Sequence, residues 1–174
     1  MFRPEAHSVS DKWFRRPERG FSLIELLIVV AIILVIAAIA IPNFLRSRMA
    51  ANEAAAVQSL RNINTAQVVY STTYGIGYSA QLSHLAPTPG NPLLTSPTNA
   101  GLIDDVLATG AKSGYTFTYN PTDADGDGRN EAFTVTATPA SVGSTGQRRF
   151  FSDQSGVIRS NLNGAADVNS TPIA

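Results

Sequence analysis

The chain has 174 residues, 44% of them apolar and 15% charged, proportions that suit one ordinary folded domain. Its 13 basic and 13 acidic residues cancel, which argues against a broad electrostatic attraction to nucleic acid while leaving room for a local basic patch. Cysteine is absent, so disulfides and cysteine-based metal or redox chemistry are excluded in any compartment.

Residues 1–20 place Lys12, Arg15, Arg16 and Arg19 ahead of an apolar run and predict a cytoplasmic flank. From 21 to 41 the sole charge is Glu25. At about 1.5 Å per residue this stretch spans roughly 31 Å as a helix, close to the hydrocarbon thickness of a bilayer, and is predicted to insert. A secretory signal has a shorter apolar core and a small-residue cleavage site, whereas this run ends in Ile41 and Pro42 and is followed by Arg46 and Arg48. Glu25 does not forbid insertion. The run holds 15 Leu, Ile, Val and Phe residues, each worth about −0.3 to −0.6 kcal/mol at a helix centre, against roughly +2.5 to +3.5 kcal/mol for the acid. The carboxylate has two readings: a functional group whose partner is to be found, or an interfacial group that complements the positive end of the helix.

Pro42 lacks a backbone donor and is expected to bend or loosen the helix. Over 43–74, Leu45, Met49, Ala56, Leu60, Ile63, Tyr70 and Tyr74 recur at three- and four-residue steps and their multiples, while Asn52, Ser59, Arg61 and Asn62 fall elsewhere. That pattern predicts an amphipathic helix whose apolar face presses on a sheet. Residues 75–114 are punctuated by proline and glycine and read as a loop. Within it "GLIDDVLATG" spaces Leu102, Ile103, Val106 and Leu107 for one short helix. Strand signals come next at 115–119, 132–138, 148–151 and 156–159, the last two joined by "SDQSG". The fold class expected is α+β, a long N-terminal helix packed on a four-stranded antiparallel sheet, with a polar and loose stretch after Ser160.

The segment "RGFSLIEL" carries the most specific signal. It resembles the processing motif of type IV prepilins and of the related type II secretion pseudopilins: a basic leader ending in glycine, then Phe, with Glu at the fifth position after that glycine. The resemblance implies a leader of residues 1–20 removed by a prepilin peptidase after Gly20, methylation of the new N-terminal Phe21, and a mature chain of 21–174. It also implies a partner for Glu25, the cationic terminal amine on Phe21 of a neighbouring copy, attracted most strongly where water is scarce. Residues 21–42 become the membrane and filament-core helix of a ladle-shaped subunit, and "RRFFSDQSGVIRS" is similar to the terminal hairpin of many pilins. The partners implied are the chain itself as a helical homopolymer, the inner membrane, the peptidase, and an external assembly ATPase with its platform. The precursor is expected in the inner membrane and the product in an extracellular pilus.

A second motif, "DADGDGRNE", matches the opening of a calcium loop at Asp123, Asp125, Asp127 and Gly128. Position twelve is Thr134 in place of the bidentate glutamate, and Glu131 at position nine offers another oxygen. The alternative is a solvated Asp/Gly turn between strands. Catalysis finds little support: His7 lies in the expected leader, His84 stands alone in a Pro-rich stretch, and no Gly-rich phosphate loop is followed by lysine. Arg148, Arg149 and Arg159 offer a small basic spot for DNA phosphates, with a solvated strand face as the plainer reading. The function expected is therefore a non-enzymatic pilus subunit. A type II secretion pseudopilin is the alternative, and a signal-anchored periplasmic enzyme or binding protein the remote one.

Overall fold

The computed structural model describes residues 20–173. The rest of the expected leader, with His7, Lys12, Arg15, Arg16 and Arg19, lies outside the described residues. One helix, α1, runs over Leu23–Tyr74 for 52 residues and continues through Pro42. The chain divides within α1 into two compact units, a first ending at Ala40 and a second spanning Ile41–Ala174. In the described part of the first unit almost every side chain is exposed, Phe21 at 78% and Leu34 at 63% among them. By length and composition this stretch can cross a membrane.

The second unit is an α+β domain. The face of α1 that packs inward carries Glu53, Ala56, Leu60, Ile63, Gln67 and Tyr70, all buried and alternating in steps of three and four. This stripe differs from the one read in the sequence. Leu45 is 47% exposed, and Ser59, expected on the polar side, is buried because its hydroxyl donates to the Ala55 carbonyl one turn earlier, at 2.9 Å.

The sheet has six strands, not four. They are β1 (Ala111–Lys112), β2 (Tyr115–Thr122), β3 (Ala132–Pro139), β4 (Arg149–Asp153), β5 (Arg159–Asn161) and β6 (Thr171–Pro172). They lie in sequence order and every neighbouring pair is antiparallel. The extra strands, β1 and β6, have two residues each, too short to show a period-two pattern, and only their pairing with β2 and β5 defines them. The stretch after Ser160 is therefore tied to the sheet: Ile173 donates its N–H to Ile158 at 2.9 Å, and Ala166 is buried. Residues 156–158 precede β5 instead of forming it, since Gly156, at φ +74, still belongs to the turn.

Alternation does hold in the long strands. Tyr115 and Phe117 of β2, Phe133, Val135 and Ala137 of β3 and Phe150 of β4 turn inward to meet Ala56, Leu60 and Ile63 of α1. The short helix expected near residue 105 is α2, Asp105–Ala108, capped by Asp104, which accepts the Leu107 N–H at 3.0 Å. Lys112 pairs with the same carboxylate at 2.7 Å and is the leading cause holding the Asp104 pKa below its ordinary value. Leu107 and Ile103 are buried while Val106 faces solvent.

A polar knot ties the end of α1 to the sheet. The Gln67 side chain donates to Ser79 Oγ at 2.7 Å and accepts the Ser79 N–H at 3.0 Å, and both residues are fully buried. Tyr119 of β2 donates its hydroxyl to the Ser79 carbonyl at 2.7 Å, and burial pushes that phenol up to about 12. Each buried polar atom in the knot thus has a partner, which is what makes the burial affordable.

Candidate functional site

Two separate places carry the residues singled out in the sequence. At the start of α1, the Glu25 carboxylate accepts the Ser22 backbone N–H at 3.0 Å. Ser22 immediately precedes the first helical residue, so Glu25 forms the return half of a capping box. Its charge also lies in the first turn, where the unsatisfied N–H groups of the helix favour an anion. Gly20 and Phe21 are exposed beside it. A side chain built at Gly20 would meet nothing within 4 Å among the described residues.

The second place is the loop between β2 and β3. Ligand atoms from Asp123, Asp125, Asp127 and Glu131 all lie within 4.8 Å of one another, and the four side chains are exposed. The backbone wraps around them. Asp123 accepts the N–H groups of Gly126 at 2.6 Å and Gly128 at 2.9 Å, and these two donors hold its carboxyl below the ordinary range. Asp125 accepts from Asp127 N–H at 3.2 Å, Asp127 from Arg129 N–H at 2.8 Å, and Glu131 from Ala124 N–H at 2.9 Å. The loop is fastened at Gly77 to the segment that follows α1. There a Cβ would come within 2.5 Å of the Asn130 carbonyl oxygen, so only glycine allows the approach. Tyr78 then donates its N–H to Asn130 O at 2.8 Å, and the Asn130 amide donates back at 3.0 Å.

Two oxygens on one calcium ion, each at 2.3–2.6 Å, stand at most about 5 Å apart. The spread in the loop fits that limit, and one oxygen each on Asp125, Asp127 and Glu131 has no hydrogen bond among the described residues. The five backbone bonds equally describe a turn held by its own carboxylates.

The N-terminal segment also has recognisable counterparts. Residues 15–41 match the family described as "Prokaryotic N-terminal methylation motif". The chain is 50% identical over 54 residues to the type IV major pilin protein PilA of Myxococcus xanthus, a match covering 31% of this chain and 24% of that protein. It is 40% identical over 80 residues to the type IV wide pilus major component PilA4 of Thermus thermophilus, covering 44% of this chain and 61% of the relative. The N-terminal segment of the chain is thus similar to those of these type IV pilus proteins. The chain spans 24% and 61% of the lengths of these two relatives. No solved structure matches it.

In this segment the signal that sequence reading passed over is Ser22. "SLIE" just before an apolar run is the S-x-x-E signature of a capping box, so Glu25 has a partner within its own chain as well as any partner outside it. Farther along, the reading also missed Glu53 and Gln67, polar residues that continue the apolar stripe of α1 at the same spacing. The three arginines weighed for DNA each have a partner within the chain. Arg148 pairs with Glu53 at 2.8 Å, Arg149 donates to the Gly164 carbonyl at 3.4 Å, and Arg159 donates to the Ser170 carbonyl at 3.2 Å.

Proposed function

We propose that this chain is the structural subunit of a type IV pilus, made as an inner-membrane precursor, cut after Gly20 by a prepilin peptidase and methylated on Phe21. The observation that carries the reading is the exposed apolar run of residues 21–41, which lies within a methylation motif and bears Glu25 as its one charge. Moving that run from lipid into a bundle of identical runs exchanges one apolar surrounding for another, so assembly and disassembly stay close to balance. A charge pair then sets the register. The amine created at Phe21 in a neighbouring copy supplies the cation, and an external ATPase and platform supply the work. Both relatives are named as major pilus components, which favours a pilus over a secretion pseudopilin. N-terminal analysis of the chain recovered from filaments sheared off intact cells is expected to begin at N-methylated Phe21. A native chain that keeps Met1 and sheds no filaments overturns the proposal.

We propose a calcium role for Asp123, Asp125, Asp127 and Glu131 as well, on the convergence of their oxygens. Titration calorimetry of the full chain in detergent is expected to show calcium binding that Asp125→Ala removes. The absence of heat at calcium concentrations of about 1 mM, the weak end for calcium loops, leaves the self-held turn as the explanation.

A further inference from the structure

A buried acid has a task that the pilus reading leaves unassigned. α1 places Asn52 and Glu53 side by side, facing the connection between β3 and β4, residues 140–148. Glu53 Oε1 accepts the N–H groups of Gln147 at 2.9 Å and Arg148 at 3.2 Å, while Oε2 accepts Arg148 Nε at 2.8 Å. Asn52 donates to the Thr145 carbonyl at 2.9 Å, and Tyr115 of β2 donates its hydroxyl to the Arg148 carbonyl at 2.9 Å. Glu53 itself is 8% exposed.

The connection is tied to the sheet at its two ends, where Ala140 donates its N–H to the Gly114 carbonyl at 2.9 Å and the Arg148 carbonyl accepts from Tyr115. Gly143 donates to Gly146 O at 2.9 Å and Thr145 to Ser141 O at 2.9 Å, so its tip closes on itself. The β3–β4 ladder ends at Ala137 and Phe150, short of this segment. Gly146 lies so close under the Tyr115 ring that any side chain there collides with it. What fixes the segment to α1 is thus the Glu53 carboxylate, with one neutral hydrogen bond from Asn52 in support, while Tyr115 ties its end to β2.

We propose that Glu53 is an acid-operated clasp: ionised, it fastens residues 140–148 to α1, and protonated it releases them while the sheet stays folded. Bonds to an ionised acceptor are about twice as strong as neutral ones. A protonated carboxyl also turns one oxygen into a donor facing Arg148 Nε, another donor. The groups facing Glu53 are the Arg148 guanidinium from the segment and the Tyr115 phenol from β2. Burial and the Glu53 charge push that phenol up to about 12, so it stays neutral while Glu53 titrates. Burial is the largest influence on Glu53 and raises its pKa, but the two N–H groups and the guanidinium together hold it below 4.5. A depressed folded pKa contributes stability that is complete above the unfolded value of 4.5 and is lost as pH falls through the lower folded value.

The test is amide exchange on the full chain in micelles from about pH 7 down to about pH 3, comparing Gln147 and Arg148 with Val135 and Ala137. Protection at the first pair, corrected for intrinsic rates, is expected to fall by about tenfold or more while the second pair keeps its protection. Glu53→Gln, which keeps the shape without the charge, is expected to show the low protection at every pH. Arg148→Gln leaves Glu53 its backbone donors but removes the cation, and is expected to move the release midpoint up towards 4.5. Constant protection in the native chain overturns the clasp, as does simultaneous loss of both pairs. If Glu53→Gln does not fold, an unchanged midpoint in Arg148→Gln overturns it equally.

Discussion

Glu25→Ala is expected to leave the chain inserted in the membrane and to abolish filaments. Insertion is safe because the substitution removes a cost of up to about 3 kcal/mol and leaves every apolar residue in place. Two local losses compete with the loss of register as explanations. The Ser22 cap disappears, worth about 1 kcal/mol and confined to the first turn, and so does a favourable charge at the helix N-terminus, worth roughly 0.3 to 1 kcal/mol. Neither unfolds a helix of 52 residues. Glu25→Gln separates cap from charge, because glutamine can still return a hydrogen bond to the Ser22 N–H in the same box but offers no anion to a neighbouring amine. Both variants are therefore expected to be present in membrane fractions at native levels and absent from the sheared fraction. Piliation by Glu25→Gln with none by Glu25→Ala would assign the acid to capping its own helix and remove the proposed register pair.

Phe133→Ala is expected to destabilise the second unit by about 3 to 5 kcal/mol, the range for emptying a large aromatic site in a core. Phe133 is 1% exposed at the start of β3. Its ring meets Tyr78 edge-on at 4.8 Å and stacks on Tyr119 at 5.7 Å between centroids. Tyr119 in turn holds the Ser79 carbonyl of the Gln67 knot. Removing the ring therefore opens a cavity and loosens a buried hydrogen-bonded network in one step. Against a typical total of roughly 5 to 15 kcal/mol, that loss threatens folding at physiological temperature. Urea unfolding of the chain in micelles, followed by near-ultraviolet circular dichroism, measures it. A change under about 1 kcal/mol means that the neighbouring tyrosines collapse into the space and that the aromatic cluster is not a single packed unit.

The apolar run, its one acid and the processing motif were legible in the sequence because each is written in consecutive residues and needs no folded partner to be recognised. The same holds for α1 as a helix and for the inward alternation of β2 and β3, whose periods extend over enough residues to be read locally. The tertiary structure decided the rest. β1 and β6 have two residues each and become strands only because β2 and β5 offer them open edges. Glu53 and Gln67 look like surface residues from their chemistry, and they are buried because donors and acceptors 12 or more positions away arrive to satisfy them. Arg148 reads as an unpaired cation, and only the fold shows that Glu53 is its partner. Polar burial, like the pairing of a two-residue strand, depends on long-range partners, and no local pattern of residues records where those partners come to rest.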